Sequence, residues 1–251
     1  MTVSDTLARA AAALRVAREG ARPADLPAEL VPASKEDAYR IQDLVIGDRA
    51  IAGWKILATA DPAAFSCAAI AAEDCVPDGG VFRLGDRAPE IEVEIAIAII
   101  ADLPPREGGH DAASVLPALG TAHVAFEFIE SRFAERKRAN PLSGLADGQS
   151  SRGFTIGVPA VAGWRDLDLA ALPIRLGFGG AEPLSGQGGA SPDQIIAALV
   201  WLANHAAGRG PGLRAGQFVI TGARVGPLAI PPADRVTAEI GGIGTVSLRL
   251  G

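Results

Sequence analysis

Between Pro89 and Ile100 the chain alternates without a break, placing Glu90, Glu92 and Glu94 on one face of an extended strand and Ile91, Val93, Ile95, Ile97 and Ile99 on the other. Few patterns constrain a fold more. The apolar face must be buried, while glutamate is depleted in strands and three carboxylates stacked on one face repel one another. Residues two apart on a strand lie roughly 6.5–7 Å from each other, within reach of a common ion. Carboxylate oxygens suit a hard divalent cation. Two readings follow from the residues alone: a metal site, or an antiparallel strand with one face in water.

A second strand is expected at 123–130, with Val124, Phe126 and Phe128 on one face and Ala125, Glu127 and Ile129 on the other. Glu127 is therefore an acid among apolar neighbours. Burial of a lone carboxylate costs several kcal/mol, so it needs a cation, either a metal or an arginine such as Arg132 or Arg136. The short apolar run 51–57 holds a single basic residue, Lys55, whose side chain either snorkels to solvent or serves a site.

Around these strands the chain reads as one α+β domain. A helical N-terminal region (1–50) precedes a β-rich region (51–251). A helix over 4–20 is expected to open at a Ser4 cap and close at Gly20. A second starts after Ser34 and runs to about residue 50. Residues 61–80 read as a loop or short helix able to close over something, and residues 142–157 as a polar Gly/Ser-rich loop. Strands are expected at 155–162, 173–178 and 218–221, a turn at 184–189, a capped helix from Ser191 to Ala207, and a C-terminal hairpin around Gly241 and Gly242. The 30 glycines and 18 prolines fit a turn-rich β architecture.

A net charge of −6 with no basic run excludes nucleic acid and anionic membrane as partners and leaves small molecules. Charged residues interrupt the N-terminal apolar stretch, and no run of apolar residues is long enough for a membrane span, so a cytoplasmic protein is expected. Cys67 and Cys75 read as reduced buried thiols. The three histidines, at 110, 123 and 205, form no ligand pair, and no nucleophile motif is present. Carboxylates, one lysine and flexible loops suit metal-assisted keto–enol chemistry.

Several short motifs then recur in order: Gly53-Trp54-Lys55-Ile56, Ile91-Glu92-Val93-Glu94, Phe126-Glu127-Phe128-Ile129-Glu130-Ser131-Arg132, Asp147-Gly148-Gln149-Ser150, Ser185-Gly186-Gln187-Gly188, Thr221-Gly222 and Gly241-Gly242-Ile243-Gly244. In these the chain resembles the 2-keto-4-pentenoate hydratase branch of the fumarylacetoacetate hydrolase superfamily, from about residue 38 to the C-terminus. The resemblance implies a mixed β-roll like the fumarylacetoacetate hydrolase C-terminal domain, a homo-oligomer, and one Mg2+ or Mn2+ held by Glu92, Glu94 and Glu127. It assigns Lys55 and Asp74 to catalysis and Ser185, Thr221 and Gly222 to substrate binding, with Glu90 outside the motif and exposed.

The implied reaction is hydration of a 2-hydroxy-alkadienoate to a 4-hydroxy-2-keto acid through a metal-stabilised enolate, a step in aromatic compound catabolism. Lys55, beside the cation and partly desolvated, is expected to have a lowered pKa. Decarboxylation of a 2-oxo-dienedioate is the alternative. C–C hydrolysis of an acylpyruvate, which in that branch uses a His/Glu pair absent before His110, and a non-catalytic partner subunit are further ones. The chain departs from the family pattern at Leu57, Gly148, Gln187 and Ala190-Ser191-Pro192, positions that surround the substrate rather than the metal.

Overall fold

The computed structural model describes residues 2–251 apart from residue 88. Helix α1 (Val3–Glu19) begins ahead of the expected Ser4 cap. Thr2 caps it instead: the Asp5 N–H donates to Thr2 Oγ1 at 3.2 Å and the Thr2 N–H to the Asp5 carboxylate at 3.0 Å, so each satisfies the other's free donor. Helix α2 (Lys35–Ile46) starts at the Ser34 cap as expected but stops at Gly47, whose φ of +56° ends the helical path. Leu7, Ala10, Ala11 and Leu14 of α1 and Ala38, Tyr39 and Ile41 of α2 pack into the same core as the strands.

The strands and remaining helices are, in chain order, β1 (Ile51–Ile56), β2 (Cys67–Ala71), β3 (Val81–Phe82), β4 (Glu90–Ile99), α3 (Ala112–Val115), β5 (Leu119–Ile129), α4 (Pro141–Ala146), β6 (Ser151–Ile156), β7 (Ile174–Phe178), β8 (Leu184–Gly186), α5 (Pro192–Arg209), β9 (Phe218–Ile220), β10 (Val225–Ala229), β11 (Arg235–Ile240) and β12 (Gly244–Leu250). They form two sheets. The first runs β2-β1-β9-β4-β5-β6, with β10 also paired to β4, and the second runs β3-β12-β11-β7-β8. Most pairs are antiparallel; β1 with β9 and β12 with β3 are parallel. This is the mixed roll that the sequence suggested. Among the described residues no helix is long and apolar enough to cross a membrane.

Four strands depart from expectation. The 61–80 stretch is not a simple loop: β2 pairs with β1 from Cys67 to Ala71, where small residues let helix α2 lie close above. β6 begins at Ser151, ahead of the expected strand, and the chain leaves the sheet before Pro159, which has no N–H to give a ladder. The 184–189 turn contains the edge strand β8, and β10 adds to β4 beyond β9.

The first sheet curls until its outer strands approach: the Val76 N–H donates to the Phe154 carbonyl at 3.2 Å. Gly153 makes that closure possible. Its φ is +143°, and a Cβ there would be built into the Asp74 carbonyl. Gly153→Ala should therefore force the 72–76 segment off β6. A loss of about 1–3 kcal/mol, typical of overpacking, is expected as a lower midpoint in thermal or urea unfolding. An unchanged midpoint would show that the seam tolerates the shift.

Candidate metal centre

Strand register assembles the site. Lys55 is opposite Ile220, and Ile220 opposite Ala96, so these three share a face of the sheet. Glu94 and Glu92 follow at two-residue steps along β4, and Glu92 is opposite Glu127 of β5. On the reverse face Ile91, Val93, Ile95, Ile97 and Ile99 are each at most 1% exposed. Burial of that row fixes the register and leaves the acids no other side to occupy.

The three carboxylates converge. Glu92, Glu94 and Glu127 each offer an oxygen within 4.8 Å of the others. Glu94 is 1% and Glu127 0% exposed, among Ile70, Ala96, Ala125, Phe154 and Ile220. Lys55 Nζ lies 2.7 Å from Glu127 Oε1 as an ion pair, while Glu127 Oε2 is buried without a hydrogen-bond donor. The Gly222 N–H donates to Glu94 Oε2 at 2.7 Å. Thr221, fully buried, donates its hydroxyl to the Ile95 carbonyl at 2.8 Å, which pins the segment to β4.

One ammonium does not balance three carboxylates where little water reaches. Burial, then the neighbouring Glu127, pushes Glu92 up to about 7. Burial, then Glu127 and Glu92, pushes Glu94 well above the ordinary carboxylate range. Desolvation pulls Lys55 down, but Glu127, Glu94 and Glu92 together outweigh that and raise it, whereas the expected lowering belongs to a lysine beside a bound cation. The protein thus offers an all-oxygen donor set, one oxygen of it buried without a hydrogen-bond donor, and a surplus of negative charge. A hard divalent cation fits all three features.

The other expected site residues are distributed as follows. Gly222 touches Glu94 directly, and Thr221 adjoins it. Asp74 is held by arginines: it pairs with Arg18, with Arg152 at 3.4 Å and with Arg49 at 3.8 Å, and none of these partners is one of the three glutamates. Ser185 is exposed on edge strand β8, opposite Arg175. Glu90 is half-buried rather than open, paired with Arg136 at 2.7 Å. That pairing, and the Arg132–Asp147 pair, take both arginines that Glu127 was a candidate to meet. One neighbour was not anticipated: the Gln149 carbonyl lies 3.4 Å from Lys55 Nζ.

No family model matches the chain. It is 30% identical over 255 residues to 2-keto-4-pentenoate hydratase 2 of Dechloromonas aromatica (strain RCB), covering 95% of each chain. It is 33% identical over 175 residues to the 4-oxalocrotonate decarboxylase of Pseudomonas putida, a match that spans 69% of this chain and 65% of that one. The solved 4-oxalocrotonate decarboxylase of Pseudomonas putida G7, complexed with magnesium and adipate, superposes with a TM-score of 0.81 at 26% identity over 100% of this chain and 99% of that one.

Glu92 titrates near 4.5 when unperturbed and near 7 in the fold, so the folded chain binds more protons between those values. Its contribution to stability is whole below the lower value and is lost as pH rises through the upper one. Chelator-treated protein should therefore gain more melting temperature from added Mg2+ at about pH 8 than at about pH 6. Equal gains at the two pH values would break the link between these carboxylates and the cation.

Proposed function

Because the chain belongs to the 2-keto-4-pentenoate hydratase branch of the fumarylacetoacetate hydrolase superfamily, we propose that it is a metal-dependent lyase that hydrates a 2-hydroxy-alkadienoate to a 4-hydroxy-2-keto acid. The observation that carries this reading is the cluster itself: three glutamates with oxygens within 4.8 Å of one another, Glu94 and Glu127 buried and Glu92 half-buried, with an ammonium 2.7 Å from one of them. Glu92, Glu94 and Glu127 would hold the cation. When bound, it supplies positive charge for the carboxylate and C2 oxygen of a 2-keto acid or its dienol.

The chain's own groups do the rest. Lys55 Nζ, 2.7 Å from Glu127 Oε1, donates a hydrogen bond or a proton to an oxygen arriving beside Glu127. The Gly222 N–H holds Glu94 to one orientation, so the donor set is arranged before substrate arrives. Ile70, Ala125, Phe154 and Ile220 keep the surroundings dry, which strengthens every charge interaction there. Thr221 and Gly222 enter as substrate-binding residues through the resemblance, with the Gly222 N–H on Glu94 in its support. Asp74 and Ser185 enter this reading through the resemblance alone, since their contacts are to arginines and to solvent.

A second reading, decarboxylation of a 2-oxo-dienedioate, is supported by the likeness to the decarboxylase along the whole chain. Both reactions gather negative charge on the same C2 oxygen, and the same residues serve either. The finer expectations carried from the resemblance, a cytoplasmic homo-oligomer using Mg2+ or Mn2+ in aromatic compound catabolism, belong to this proposal too.

With Mg2+ present, loss of dienol ultraviolet absorbance from 2-hydroxypenta-2,4-dienoate identifies the hydratase, and CO2 release from 4-oxalocrotonate identifies the decarboxylase. Glu127→Ala should remove both metal binding and turnover. Lys55→Met should keep the metal and lower kcat by roughly 10²–10⁴-fold, the usual range for a lost general acid–base group. Metal bound by wild type but turnover of neither compound would sink the lyase reading. Undiminished activity in Glu127→Ala would sink the assignment of the centre.

A further inference from the structure

Between α4 and β6 the backbone passes through the left-handed region three times running, at Gly148 (φ +62°), Gln149 (φ +54°) and Ser150 (φ +64°). Glycine takes this conformation freely, whereas Gln149 and Ser150 are the only other described residues that adopt a positive φ. Neighbours hold the turn in place. Arg132 grips both the carboxylate and the carbonyl of Asp147, Ser131 donates to the same carboxylate at 3.0 Å, and the Glu130 N–H donates to the Ser150 carbonyl at 2.8 Å. Strain held this firmly at a site calls for something that it aims.

What it aims is a carbonyl. Gln149 O lies 3.4 Å from Lys55 Nζ, the second acceptor on that ammonium after Glu127. The Gln149 side chain does not approach Lys55. Its amide donates to Ser66 Oγ at 2.8 Å, and its Oε1 is buried without a partner. Ser66 in turn accepts the Leu57 N–H at 3.0 Å, two residues beyond Lys55. The turn and the loop after β1 are thus braced against each other across the lysine.

We propose that Gln149 is a positioning residue for Lys55, acting through its main-chain carbonyl. This rests on the role given to Lys55 above. A lysine side chain has four rotatable bonds, and one contact to Glu127 leaves its head free to turn. A second acceptor fixes the head and commits the remaining N–H to an incoming oxygen. The Ser66 bond offsets the strain of a non-glycine residue in this turn, so a glycine at 149 does not need it.

The test compares two variants. Gln149→Gly keeps the carbonyl and takes the left-handed conformation freely. Gln149→Val, β-branched, resists it. In the Mg2+-loaded enzyme, Gln149→Gly should keep kcat within about threefold of wild type; Gln149→Val should lower it by about tenfold or more, with KM and Mg2+ affinity little changed. Added to Lys55→Met, Gln149→Val should cost nothing further.

Reductive methylation supplies a readout without turnover. Lys55 is one of three lysines, with Lys35 and Lys137 as internal references, and it should react faster in Gln149→Val than in wild type or Gln149→Gly. Should Gln149→Val not fold, Gln149→Ala takes its place, with the same direction and a smaller effect. Equal losses of kcat in the glycine and valine variants, losses that add to Lys55→Met, or unchanged Lys55 methylation would each overturn the proposal. If wild type turns over neither 2-hydroxypenta-2,4-dienoate nor 4-oxalocrotonate, the lyase reading fails on its own, and the methylation rates still judge the contact.

Discussion

Glu92, Glu94 and Glu127 meet among apolar side chains that bury two of them and half-bury the third, and a single ammonium stands beside them. Each buried carboxylate costs several kcal/mol unless compensated. The arrangement persists because of the other face of β4. Full burial of a branched aliphatic side chain contributes about 1.5–3 kcal/mol, so the five on β4 together contribute roughly 7–15 kcal/mol. A slip by one residue would place all five on the wrong side. Hydrophobic burial therefore fixes the register, and the register holds the acids together against their own repulsion. The surplus negative charge that results is what a divalent cation would neutralise.

Several arginines near the site are kept from it by other acids, and Arg224 by the carbonyls of Leu169, Gly188 and Ala190. Arg132 is engaged by Asp147, Arg136 by Glu90, and Arg18 and Arg152 by Asp74. An arginine on Glu127 would occupy the very oxygens the cluster offers, with a planar fork suited to bidentate capture. Lysine is the milder partner, a point charge on one oxygen. The remaining orientation is supplied by neutral groups, the Gly222 N–H on Glu94 and the Gln149 carbonyl near Lys55, which direct without adding charge.

The glutamate strand was legible in the sequence because its two faces disagree so sharply: one period-2 row must be buried, and the other has no ordinary reason to be there. Glu127 was legible as an acid on an apolar face, and the capped helices from Ser34 and Ser191 through local chemistry alone. What escaped had a weak local signal or a distant partner. β2 is built from small residues that carry no strong strand signal, β8 is a three-residue edge strand in a glycine-rich turn, and β10 pairs with β4, far away in sequence. The protonation of Lys55 could not be read from the sequence, because it depends on a balance between desolvation and three carboxylates that is visible only once all four groups are placed together. Asp74 is an acid in the right stretch, yet its arginine partners come from α1 and β6 and from the residue Arg49 just before β1.

The charged centre does not by itself separate a hydratase from a decarboxylase. In either reaction negative charge collects on the C2 oxygen, so both require a cation and a hydrogen-bond donor at the same place. The difference arises farther along the substrate, where one reaction delivers water to a double bond and the other releases CO2. Residues that contact only the C1–C2 end cannot discriminate between them. On the proposed reading, discrimination falls to groups around the rest of the substrate, and the two departures from the expected motifs that lie nearest Lys55 in the fold are Leu57, two residues beyond it, and Gly148, next to Gln149.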